Sequence, residues 1–224
     1  MEEHRLVVSR TARYFTLPPE GEVREVWFAL HGYGQLASFF IRHFRAVQDG
    51  HCLVVAPEAL SRFYLEDHQR VGASWMTRED RLTEIDDYLA YLDALYDHFF
   101  EDIDRESVAV HVLGFSQGAA TASRWTTRGR MDADRLILWA GDLAHDIDLD
   151  ARAATLRRLD LTLVVGSEDA LITPERLAGV EALLARHDIP YRLLRFDGSH
   201  RMDAAVLQTL AMPHIDPSAR IAEP

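Results

Sequence analysis

Six short segments of the chain are apolar almost throughout: Val26 to Leu30, Cys52 to Ala56, Val108 to Leu113, Leu136 to Ala140, Leu161 to Val165 and Tyr191 to Phe196. Each has the length of a strand, and a strand without polar alternation belongs in a sheet covered on both faces, the usual situation of parallel strands. Between them the apolar period changes. Leu82, Ile85, Leu89, Leu92 and Leu95 recur at helical spacing, as do Leu177, Val180, Leu183 and Leu184, and Thr173-Pro174-Glu175 opens the second of these helices with a hydroxyl cap and a proline. Strands alternating with helices predict an α/β fold, a mostly parallel central sheet with helices on both faces. Leu6 to Leu17 alternates loosely and predicts an edge strand or hairpin. Over residues 58–80 the alternation stops, and an irregular, cap-like excursion is expected; residues 213–224, with Pro213, Pro217 and Pro224, are expected to form a tail. The 224 residues, 48% of them hydrophobic, are expected to make a single domain.

Charge narrows the partners. A formal net charge of -12 argues against nucleic acid and against anionic membrane surfaces, which repel a protein without a basic patch. All 24 positive charges are arginine, and they are scattered; a GC-rich genome or adaptation to salt would each account for a Lys-free acidic chain. No segment has the length of apolar sequence needed to cross a bilayer or to act as a signal peptide, so no stable membrane insertion and a cytoplasmic location are expected. The single cysteine, Cys52, lies in an apolar run and reads as a buried core thiol. His145-Asp146-Ile147-Asp148 reads as a solvated acidic loop rather than a metal site, and no cofactor is expected: neither common spacing of a Gly-rich phosphate loop occurs.

The chemistry gathers around Gly114-Phe115-Ser116-Gln117-Gly118, which directly follows one apolar strand and precedes a small-residue segment able to open a helix. A serine on such a turn is held in a strained conformation, and glycines at either side let strand and helix pass closely; the pattern is a nucleophile elbow. Acyl transfer by serine also needs a base, a carboxylate to orient it and donors for the oxyanion. Asp169 follows the strand that ends at Val165, and His200 follows the last strand, in the order serine, acid, histidine. Asp142 is the rival acid; His187 and His214 are the rival bases; Glu168, beside Asp169, is expected to face solvent. Leu30-His31-Gly32-Tyr33-Gly34-Gln35 ends the first core strand, and the backbone N–H groups of Tyr33 and Gln117 are the candidate oxyanion donors, helped by the positive end of the helix that begins at Gln117.

On these residues, Leu30-His31-Gly32, Gly114 to Gly118, Gly166 to Asp169 with Pro174 shortly after, and the late His200, the chain resembles the phospholipase/carboxylesterase family of α/β hydrolases, which includes acyl-protein thioesterases and small bacterial carboxylesterases. The resemblance spans most of the chain. It implies the α/β-hydrolase fold, Ser116 as nucleophile, Asp169 as acid, His200 as base, Tyr33 and Gln117 as oxyanion donors, and a small-molecule ester or thioester as substrate. Gln35 departs from the aspartate usual in the family, Ser199 from the glycine before the histidine, and Ser74-Trp75-Met76-Thr77 matches the family's tryptophan-centred motif only in part. Phe63, Tyr64, Trp75 and Met76, with Leu171 and Ile172, read equally as an acyl pocket or as core packing. A peptidase or amidase on the same triad and a non-catalytic ligand-binding homologue stay open as alternatives. A homodimer that buries the apolar rim of the active face also stays open, with no residue pattern to carry it.

Overall fold

A computed structural model of the protein describes residues 1–66 and 68–212, so the expected tail and His214 lie outside the described residues. Seven strands form one sheet: β1 (Tyr14–Leu17), β2 (Glu25–Leu30), β3 (Cys52–Pro57), β6 (Ala109–Phe115), β7 (Arg135–Trp139), β8 (Asp160–Gly166) and β9 (Arg192–Phe196), in the spatial order β1-β3-β2-β6-β7-β8-β9. Every pairing is parallel except that of β1, which runs antiparallel to β3 at the edge. The six apolar segments are the six parallel strands, and the loosely alternating N-terminal stretch supplies the edge.

The unbroken apolarity of these strands is explained by the two layers that cover them. Val26, Phe28 and Leu30 of β2, Val110 and Val112 of β6, and Leu161, Leu163 and Val165 of β8 pack on one face against α2 (Arg81–Phe100), α3 (Gln117–Arg128), α4 (Leu149–Arg158) and α5 (Pro174–Arg186). The alternate positions, Trp27, Ala29, Leu113, Ile137, Trp139 and Val164, face a second cluster built on α1 (Ala37–Phe40), the 3-10 turn that continues it over Ile41–Val47, and α6 (Ala204–Ala211). Burying side chains of both parities on apolar layers is the main stabilising term of such a sheet. Cys52 lies in the second cluster, where burial pushes its thiol up to about 12. No described helix is long and apolar enough to cross a membrane.

The region over residues 58–80 contains more regular structure than its sequence predicts. β4 (Ser61–Tyr64) and β5 (Val71–Ser74) form an antiparallel hairpin. Its strands are four residues each, Ser-Arg-Phe-Tyr and Val-Gly-Ala-Ser, too short and too mixed for a clean period to mark them. Of the acidic loop at 145–148, Asp146 pairs with the buried Arg124 of α3, and Asp148 caps α4 by accepting from the Ala151 N–H.

β2 runs outward to β3 on one side while β6 opens the series on the other, so the chain order reverses between β2 and β6. A crevice forms at such a reversal, outside the carboxyl ends of the strands. Leu30 pairs with Gly114 there, which sets the His31–Gln35 loop beside the β6–α3 turn.

Candidate active site

The turn from β6 into α3 is tight because its glycines allow it. A Cβ on Gly114 would collide with the backbone of Gly118, and one on Gly118 would collide with the carbonyl oxygens of Leu30 and His31. Between them Ser116 sits at φ 53° and ψ -116°, a region that L side chains rarely enter. Its own N–H is held by the Trp139 carbonyl at 2.8 Å, so β7 fixes the strained residue from below.

Three of the sequence-derived candidates meet here. His200 Nε2 lies 2.8 Å from Ser116 Oγ, and His200 Nδ1 lies 2.8 Å from Asp169 Oδ2. The serine is the donor to Nε2 in the tautomer that leaves a proton on Nδ1, and that N–H donates to the carboxylate. Asp169 is buried, with its other oxygen accepting the backbone N–H groups of Leu171 at 2.8 Å and Ile172 at 3.1 Å, so the carboxylate can neither swing nor find water easily. The His200 loop is fixed in turn by the Trp139 indole, which donates to the Arg201 carbonyl at 2.9 Å. The array can move a proton from hydroxyl to imidazole while a fixed anion steadies the ring.

The rival assignments fall elsewhere. Asp142 pairs with Arg176, whose guanidinium also donates to the Leu171 carbonyl at 3.0 Å, so Asp142 braces the acid loop from outside. His187 ends α5, with its ring 3.6 Å from Asp150. Glu168 is exposed.

Tyr33 and Gln117 both flank Ser116, and neither backbone N–H donates to another described residue. The His31–Gln35 loop that presents Tyr33 is held on three sides. Gln35 Oε1 accepts the Gly32 N–H at 2.8 Å; Gly34 donates to the Ala73 carbonyl at 2.9 Å; and Ala73 donates back to the Gln35 carbonyl at 3.1 Å, which makes the loop a partial third strand on β5. His31 is fully buried, with Nδ1 donating to the Gly32 carbonyl at 2.8 Å and Nε2 accepting the Ala59 N–H at 3.1 Å. Burial lowers its pKa to about 4, so it is a neutral structural member of the loop.

The Gln117 side chain has a task of its own that the sequence does not signal. Its Oε1 accepts the Trp75 N–H at 3.1 Å, and its Nε2 donates to the Met76 carbonyl at 2.8 Å, which ties the segment after β5 to the elbow. This placement bears on the aromatic candidates. Trp75 takes the packing alternative: it is 2% exposed in the core, with its indole donating to the His31 carbonyl at 2.8 Å. Ile172 is also core, Met76 packs against the core's edge, and Tyr64 and Leu171 are exposed. Phe63 stacks on Tyr33 with ring centroids 5.1 Å apart. None of the six lines the cavity of about 320 Å³ at Ser116, whose walls are Gly32, Tyr33, Gln35, His43, Phe115, His200, Arg201 and Met202. His43, Arg201 and Met202 are the lining residues that sequence reasoning missed, and Gln35 drew notice only as a departure from the family pattern; Phe39 and Phe40, an aromatic pair just past the glycine loop, were the available signal for His43.

Several solved structures share the architecture. Acyl-protein thioesterase 2 of Zea mays superposes with a TM-score of 0.69 at 17% identity, covering 90% of this chain and 96% of its own. A carboxylesterase from Mesorhizobium loti gives 0.71 at 21% identity over 90% of this chain and 95% of that one, and esterase PE8 gives 0.71 at 22% identity over 90% and 97%. At these identities the likeness establishes the α/β-hydrolase fold. No curated protein matches the chain in sequence. A family model described as Serine hydrolase (FSH1) matches residues 26–204, a span that includes Ser116, Asp169 and His200, and the chain belongs to that serine hydrolase family.

Proposed function

We propose that the protein hydrolyses carboxylic esters or thioesters through an acyl-enzyme on Ser116, with His200 as base and Asp169 as its orienting acid. The observation that carries this reading is the continuous line from Ser116 Oγ through both nitrogens of His200 to Asp169, with 2.8 Å at each step. Ser116 Oγ attacks the substrate carbonyl carbon as its proton passes to His200 Nε2. The carbonyl oxygen becomes an oxyanion and accepts from the N–H groups of Tyr33 and Gln117, with the amino end of α3 behind it. Asp169 stabilises the imidazolium without taking its proton. Collapse of the adduct breaks the bond to the leaving alkoxide or thiolate, which takes the proton from His200. Water then attacks the acyl-enzyme, His200 accepts its proton, and a second collapse frees the carboxylic acid and restores the serine hydroxyl. The cycle uses only the chain's own groups and water.

The test is intact mass after treatment with a fluorophosphonate, run beside Ser116→Ala and His200→Ala. Wild type is expected to gain one adduct, the first variant none, and the second to label at least about a hundredfold more slowly. A wild-type protein that stays unlabelled while folded would overturn the reading.

A further inference from the structure

The cavity at Ser116 borders a larger one. This neighbour, about 510 Å³ in volume, is walled by Phe39, Phe40, Leu65 and Val71, with Arg70 on its border, and both Gln35 and His43 line the two cavities together. Its apolar walls are open: Phe39 is 58% exposed and Val71 36%. Gln35 and His43 are therefore the two polar side chains common to both cavities, and on the groove side they stand beside Phe39, Phe40, Leu65 and Val71.

Both have hydrogen-bonding capacity to spare. The Gly32 N–H is a donor, so the Gln35 atom 2.8 Å from it must be Oε1, which turns the amide NH₂ away, without a partner among the described residues. His43 also makes no hydrogen bond among the described residues, and its ring stands edge-on to Phe40 at 5.9 Å. Desolvation lowers its pKa below the ordinary 6.5, so at neutral pH the ring is uncharged, with one N–H donor and one acceptor nitrogen. The side of the cavity on which this junction lies also matters. A leaving group must sit beside His200, which returns its proton, so the wall of His200, Arg201 and Met202 is taken, and the acyl part turns toward Gln35 and His43.

We propose that Gln35 and His43 select acyl groups carrying a neutral hydrogen-bonding substituent, a hydroxyl or oxo group close to the scissile carbonyl, whose aliphatic remainder lies along Phe39, Phe40, Leu65 and Val71. The proposal rests on the hydrolase reading above. A plain methylene chain drawn through the junction strips water from two polar groups and gives nothing back, whereas a hydroxyl or oxo group satisfies them. A carboxylate there would find no positive charge on Gln35 or on the uncharged His43.

The experiment compares N-acetylcysteamine thioesters of decanoic and 3-hydroxydecanoic acid, which differ by one hydroxyl. Wild type is expected to prefer the hydroxylated substrate by about tenfold in kcat/KM. His43→Leu is expected to reduce that ratio about threefold or more, and His43→Leu with Gln35→Met to bring it near one, while general damage to the site would lower both substrates in proportion. Equal rates, a preference for decanoyl, or turnover of neither substrate by an enzyme whose Ser116 still labels with fluorophosphonate would overturn the selection and leave the hydrolase reading standing. Absence of both labelling and turnover would bring down the hydrolase reading and this inference with it.

Discussion

The two edges of the sheet each carry a histidine beside a carboxylate, and the surroundings of the two pairs differ. At the carboxyl edge both nitrogens of His200 are engaged, Asp169 is locked by backbone donors, and a strained serine waits at the third position. At the amino edge, His111 of β6 has Nε2 3.5 Å from Glu25, whose carboxylate also accepts from the Trp27 indole at 2.9 Å, while Nδ1 is buried with no partner among the described residues. The hydrogen bond to His111 holds Glu25 below the usual carboxylate range. Farther along the same edge, Arg135 and Arg192 both reach Asp160 at 2.8 Å. These groups tie the starts of neighbouring strands together, and their backbone is unstrained. The contrast teaches that a histidine–carboxylate pair is only a proton relay in waiting; the cavity, the strained hydroxyl and the free N–H donors turn it into machinery.

The comparison breaks most visibly at Asp169. Asp169→Asn keeps the shape but accepts no charge, and steady-state hydrolysis of a model ester is expected to fall by about 10³ to 10⁴. The loop beneath gives the next effect. His31 is neutral and buried, so the unfolded chain binds a proton that the folded chain refuses. Stability is full above an unfolded pKa of 6.5 and falls as pH drops toward about 4, by about 3 kcal/mol in all. Urea midpoints measured between those limits should show the slope, and His31→Gln should flatten it. Gly118→Ala drives a methyl group into the carbonyls of Leu30 and His31, and a destabilisation of about 1–3 kcal/mol in thermal or urea unfolding is expected, together with slower labelling of Ser116. At the amino edge, His111→Ala is expected to cost about 1 kcal/mol of stability while kcat/KM stays within about twofold of wild type. A large loss of turnover from that last change would erase the distinction between the edges.

Much of the scaffold was legible because its signals are local. Continuous apolar runs need only a few residues to declare themselves, and Gly114 to Gly118 carries its own steric reason. Ser116, Asp169 and His200 each follow a strand, and parallel strands bring their ends to one edge, where the three side chains meet. What escaped depends on distant partners. The Gln117 side chain bonds residues more than forty positions away, and the Gln35–Ala73 bridge joins segments that no periodicity links. Trp75 has the composition of a pocket residue and the burial of a core one; its indole found the His31 carbonyl, which no reading of residues 58–80 alone could supply. Helix α4 was missed because its stretch is polar and buries few residues.

The exchange of hydrogen bonds between β5 and the His31–Gln35 loop has a consequence for how such proteins diversify. A surface hairpin usually behaves as a module that recombination can lengthen, trim or replace. Here the inner strand is a splint for the His31–Gln35 loop beside Ser116, and the Gln117 side chain rivets its far end to the elbow. A transplant of the whole hairpin would have to carry residues 31–36 with it, so the inheritable unit is a discontinuous pair of segments.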